Sequence, residues 1–148
     1  MHRSSSLVFL TGNERFADVG LLLLRIATGA FLIFQSHDNV FSDARMNEFE
    51  NFMAQFGFVY PKVLAPLSVY AQFTAGICFI LGIFTRWLGL ITAFNFLVAM
   101  WMVHWEDPVP QMWPAAVLIV LGLYLGLRGS GRFGIDAAFE DRPTSRRH

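Results

Sequence analysis

Seven side chains carry whatever chemistry this sequence holds inside its apolar segments and at their ends: Arg25, Gln35, Gln72, Asn95, His104, Asp136 and Cys78. Polar and charged groups in hydrocarbon are costly, so each requires a partner or a task. Gln72 lies about ten residues into one apolar run and Asn95 about eight into the next, which runs the opposite way. At 1.5 Å of rise per residue, both reach similar depth. Two readings stay open. The amides bond to each other across two helices, a contact worth about 0.6–2 kcal/mol, or they face a cavity and hold a polar ligand group such as a quinone carbonyl. Gln35, His37 and Asp38 end one run, and His104, Glu106 and Asp107 end another. These histidines and carboxylates are a proton-exchanging group at one face, with His104 the candidate for ligand contact. Their spacing is not that of a metal site, and no metal is expected. Arg25 sits roughly 9 Å into its run. It either snorkels to the interface or pairs with Asp18, seven residues earlier, or with Asp136 near the chain's end. Arg25 and Asp136 are read as structural.

Other chemistry is excluded by what the sequence lacks. It has no Gly-x-Ser-x-Gly, no phosphate-binding glycine loop and no His-Glu-x-x-His. A single cysteine, Cys78, rules out an internal disulfide and any Cys-x-x-Cys site. No autonomous catalytic motif is present. With formal net charge zero, there is no broad basic face for nucleic acid.

The elements that must position these groups are membrane helices. The chain is 55% hydrophobic and only 15% charged, where soluble domains run about 45–50% and about 25%. Four runs stand out, residues 19–36, 63–84, 87–103 and 112–127; the first three have the length of a crossing, roughly 17–25 residues, and the fourth is slightly short. Each is apolar all round, without the polar face of a soluble amphipathic helix. The expected fold is an all-α integral membrane protein, a bundle of four transmembrane helices. Residues 1–139 form one domain, followed by a polar, disordered tail at 140–148. Arg3 and the apolar residues 7–10 resemble the start of a signal peptide. The interruption at residues 11–15 and the missing cleavage site predict a retained segment instead.

Between the first two runs, Met46, Phe49, Met53 and Phe56 recur at spacings of three and four. This predicts an amphipathic helix on the outer face, ending at Gly57. Gly122 and Gly126 form a Gly-x-x-x-Gly pair suited to close helix packing or to a homodimer face, and Ala71 and Ala75 mark a second packing stripe. Residues 128–139 are expected to fold back along the inner interface. Four crossings put both termini on one side, with Arg3, Arg15, Arg86, Arg128, Arg132, Arg142, Arg146 and Arg147. Only Arg45 and Lys62 fall on the other. The positive-inside rule makes the termini cytoplasmic, with Trp87 at the inner interface and Trp101, Trp105 and Trp113 near the outer one.

The order of motifs resembles the DoxX family of small bacterial membrane proteins, over residues 21–139. The resemblance rests on LLLLRIATGAFL, on AQFTAGICFILGIFTRWLGLITA, on VAMWMVHW and on GLYLGLRGSGRFGIDAAF. Within these, the turn at Gly82 to Arg86 and the closing Gly-x-Gly-Arg-aromatic-x-x-Asp motif are the specific parts. It implies a four-helix membrane fold in the bacterial inner membrane and association with redox systems, including a thiosulfate:quinone oxidoreductase subunit. Arg25, His104 and Asp136 match family positions. Gln35, Ser36 and Asn39 stand where many members have His-Gly followed by Lys, and Gln72 stands where many have Glu; a glutamine cannot move protons, so the departures fit binding by neutral amides or a purely structural role. The function expected is an accessory or quinone-interacting subunit of a membrane redox complex, with quinone as cofactor and the bilayer and a redox enzyme as partners. A non-enzymatic scaffold or assembly factor is the alternative, a small-molecule transporter a third, and a homo-oligomer fits any of them.

Overall fold

The computed structural model describes residues 14–140, and all of its regular structure there is helical. Helix α1 spans Glu14–Phe41, α2 Asp43–Gln55, α3 Pro61–Leu81, α4 Thr85–Met102, α5 Val109–Arg128 and α6 Ile135–Glu140. The N-terminal segment expected to be retained falls outside the described residues, as does the polar tail apart from its first residue.

Among the described residues, three helices are long and apolar enough to cross a membrane: α1, α3 and α5. The chain is therefore an integral, multi-pass membrane protein. The expected count of four crossings is not reached on that criterion. Its third member, α4, has 18 residues, carries Arg86 in its first turn and has Asn95 midway, which together lower its apolarity. The helices also overrun the apolar runs. With 28 residues, α1 extends about 42 Å, well past about 30 Å of hydrocarbon. Backbone hydrogen bonding carries it beyond the apolar run at both ends.

The four long helices associate as two close pairs, α1 with α3 and α4 with α5. Glycine seams set both. A Cβ added at Gly29 would lie 2.5 Å from the Gly76 carbonyl oxygen, and one at Gly76 would lie 2.7 Å from that of Gly29. In the other pair, a Cβ on Gly89 would meet Gly126 N at 2.5 Å and Gly122 O at 2.6 Å. Gly122 and Gly126 thus face Gly89, Leu90 and Ala93 of the same chain. Without a hydrophobic drive in lipid, such backbone approach is what holds helices together. In α1–α3 the backbone contact falls at Gly76, next to the buried Ala75, and Ala71 is only half-buried.

Burial is inverted relative to a soluble protein. The protected face of α1 includes Asp18, Arg25, Thr28 and Ser36 alongside Leu21 and Leu32, while Leu23, Phe31 and Phe34 are exposed. On α4, Trp87, Phe94 and Trp101 point outward. Large apolar side chains turned outward over the length of a helix are the surface a bilayer solvates.

Helix α2 begins at Ser42, whose hydroxyl accepts from Arg45 N, and its chain turns at Gly57, where φ is +75°. It lays Met46 and Met53 on Ala65 and Val69 of α3. The amphipathic helix read from the spacing of three and four is present and closes one end of the molecule. The other end collects the start of α1, the α3–α4 turn, the end of α5 and α6, and is rich in arginine.

Candidate functional site

Two polar constellations are built into the helices. The first is a string of side chains joining α1, α3 and α4. Gln35 Nε2 donates to Gln72 Oε1 at 2.6 Å. Gln72 Nε2 donates to Ser68 Oγ at 3.1 Å, and Ser68 Oγ donates to Asn95 Oδ1 at 2.7 Å. Gln72 and Asn95 are therefore not bonded directly, as their similar depth suggested. Ser68 stands between them, one helical turn before Gln72 and on the same face. Gln35, expected to group with the histidines at the end of its run, belongs to this string. Gln72 is 8% exposed, Ser68 and Asn95 are half-buried, and Gln35 is exposed. Among the described residues, Asn95 Nδ2 has no acceptor. On the same helix, one turn earlier, the Thr92 hydroxyl is buried and has no hydrogen-bond partner. The string is a polar stripe whose inner end carries an amide nitrogen, Asn95 Nδ2, with neither of its two N–H groups bonded among the described residues.

The second constellation is centred on Arg25, which is 0% exposed. It does not snorkel, and neither Asp18 nor Asp136 accepts from it. Arg25 Nε donates to Phe79 O at 2.9 Å, Nη2 to Ile80 O at 3.2 Å and Nη1 to Ser130 O at 2.5 Å. Phe79 and Ile80 end α3, where the last four carbonyls lack intrahelical donors. A third such carbonyl, Cys78 O, takes Gly82 N at 2.7 Å and Ile83 N at 3.0 Å. A cation at a helix C-terminus also meets the negative end of its dipole. Gly82 makes this possible: its φ is +72°, and a Cβ there would sit 2.6 Å from Arg25 Nη2.

Asp136 performs the complementary task on the next helix. Its Oδ1 accepts from Phe84 N at 2.9 Å and its Oδ2 from Thr85 N at 3.0 Å, at the N-terminus of α4, where orphan donors and the positive dipole end favour an anion. Asp136 N in turn donates to Gly82 O at 2.9 Å. The returning segment after α5 thus clamps the α3–α4 turn from beneath. Asp18, 5% exposed, faces Arg128 Nη2 at 3.8 Å and Arg132 Nε at 3.9 Å.

His104 Nδ1 lies 2.7 Å from Asp107 Oδ2, and His37 Nε2 lies 3.0 Å from Asp38 Oδ1. These are two local pairs. No hydrogen bond links His104 to the amide string, and among the described residues no three His, Cys, Asp or Glu gather as metal ligands would.

Sequence reasoning missed Ser68, the carbonyl partners of Arg25 and the Asp18–Arg128–Arg132 group. The i, i+4 relation to Gln72 is a signal that points to Ser68. Backbone carbonyls leave no mark in a sequence.

The DoxX family model matches residues 20–105, more than half of the 148 residues. No curated protein matches the chain, and no solved structure does.

Proposed function

The chain belongs to the DoxX family, and from that premise we propose that it is an inner-membrane accessory subunit of a bacterial redox complex, binding a quinone against the Gln35–Gln72–Ser68–Asn95 string. The free Asn95 Nδ2 carries this reading. A half-buried amide donor on a lipid-facing bundle lacks a water to satisfy it, and a quinone offers a carbonyl acceptor on an apolar body. Gln72 donates to Ser68 and Ser68 donates to the Asn95 oxygen, which fixes the direction of the Asn95 Nδ2 donor. No redox step is assigned to these side chains; none of them titrates, so they bind and orient. His104 with Asp107 is the proton-exchanging pair at the opposite end from the arginines.

The proposed topology has four crossings. The fourth crossing is α4: its 18 residues reach about 27 Å, and exposed Trp87 and Trp101 stand near its two ends as interfacial anchors. Arg15, Arg86, Arg128 and Arg132 share one end, which the positive-inside rule places in the cytoplasm.

Titration of a ubiquinone analogue into the detergent-solubilised chain, followed by tryptophan fluorescence, tests the site. Asn95→Leu should weaken binding by about ten-fold, the value of one lost hydrogen bond in a dry site. Unchanged binding in Asn95→Leu and Gln72→Leu would remove the assignment. A scaffold reading has its own support: both polar atoms of Gln72 already have partners in the protein. Under it, Gln72→Leu lowers thermal stability and no ligand property changes.

A further inference from the structure

At the arginine-rich end, Asp18 and the loop after α5 line a cavity of about 620 Å³ together with three cations, Arg86, Arg128 and Arg132, and one further carboxylate, Glu14. That volume is within the range of small-ligand sites, about 300–1,000 Å³. We propose that this cleft is a site for a phosphate-bearing anion, the chemistry shared by an anionic lipid headgroup and a soluble phosphate.

The hydrogen-bond accounting carries the proposal. Each guanidinium has five N–H donors. Arg86 gives Nη1 to Leu127 O at 2.7 Å and has no other acceptor among the described residues. Among the described residues, Arg128 and Arg132 have only Asp18, at 3.8 and 3.9 Å, separations too long for hydrogen bonds. The three cations line one cleft, and among the described residues most of their donors have no protein acceptor. Forked guanidiniums match phosphate oxygens in pairs.

The loop is shaped to bring them together. Gly129 has φ +81°, and a Cβ there would lie 3.1 Å from Arg86 Nε; a Cβ on Gly131, at φ +69°, would strike the Leu21 side chain at 2.6 Å. Glycine at both positions lets Arg86 lie against the loop and lets the loop lie against α1. The buried Asp18 carboxylate sits behind Arg128 and Arg132, at the floor, and leaves their outer faces to a ligand. Basic pockets at helix ends on one membrane face are where anionic headgroups bind.

Native mass spectrometry of the detergent-purified full chain, titrated with phosphatidylglycerol and with phosphatidylcholine, tests this, with inorganic phosphate as a competitor. The expected result is preference for phosphatidylglycerol, weakened about five-fold in Arg128→Gln and in Arg132→Gln, one surface charge each. Asp18→Asn should tighten binding by a similar factor, because it removes the negative charge and leaves the arginines. If that variant does not fold, the exposed Arg132→Gln still decides. Arg15→Gln, at the same end but outside the cleft, should leave affinity unchanged. Competition by inorganic phosphate assigns the site to soluble anions as well; preference without competition assigns it to the lipid. Equal binding of both lipids with no phosphate effect would overturn the proposal. So would an Arg15→Gln loss as large as that of Arg128→Gln, which is diffuse attraction and not a site.

Discussion

Replacing Arg25 by methionine separates two accounts of a charged residue in a membrane helix by the sign of the effect. If Arg25 were a lipid-facing cation reaching for the interface, its removal would relieve an insertion cost of about 2.5–3.5 kcal/mol, and the protein would be unharmed or steadier. The structure requires the opposite. Arg25 is fully buried and donates to Phe79 O, Ile80 O and Ser130 O. Methionine replaces only the unbranched stem and leaves two helix-terminal carbonyls and one loop carbonyl without donors. Each orphaned buried acceptor costs about 1–3 kcal/mol. Relief from no longer burying the cation offsets part of that, so the net loss is about 3–5 kcal/mol, the size of other breaks in buried ionic networks. At roughly 2–4 °C per kcal/mol for a chain of this size, the midpoint in mild detergent falls by roughly 10 °C. Cys78 is a built-in reporter. It is the sole cysteine, lies in the last turn of α3 and is half-buried, so a thiol-reactive fluorogenic dye reads its exposure as the turn opens. Arg25→Lys keeps the charge but loses the fork, and should recover about half of the loss. A methionine variant melting within about 2 °C of the parent would refute the reasoning.

Further outcomes follow from the same geometry. Asp136→Asn keeps one acceptor for two backbone donors and loses the charge at the start of α4, so detergent unfolding should show a loss of about 1–2 kcal/mol. Gly89→Val places a side chain against Gly122 and Gly126 backbone and should separate α4 from α5, seen as a stability loss of at least about 3 kcal/mol. Gly20, with open space around its Cβ position, should accept alanine without loss, by the same assay. For topology, in a Cys78→Ala background a membrane-impermeant maleimide should label Asn51→Cys on intact cells and Arg132→Cys only after permeabilisation. The reverse pattern would invert the orientation.

Composition revealed the apolar helices because lipid solvation is an average property of a segment. Segment ends were less legible: hydropathy marks where lipid stops, whereas α1 continues on its own hydrogen bonds to Glu14 and Phe41. The helix over Asp43–Gln55 was readable from Met46, Phe49 and Met53, with Phe56 just past its end, because its polar positions contrast with them. The depth argument brought Gln72 and Asn95 to one level but not into contact, since their facing depends on helix rotation, which the Gly29–Gly76 and Gly89–Gly122 approaches set. Asp18 lies more than 100 residues from Arg128 in sequence, so no local pattern joins them. Arg25 was visible as an anomaly, but its partners are main-chain atoms that any sequence supplies.

The central claim is that the amide string holds a quinone. Mass spectrometry of lipids co-purifying with the chain in mild detergent tests it most directly, with an unrelated helical membrane protein in matched detergent as control. The account predicts quinone near one equivalent per chain, falling to the control level in Asn95→Leu while that variant stays folded. Quinone at the control level in the parent chain would contradict it, and would leave the string as helix-to-helix bonding within a scaffold.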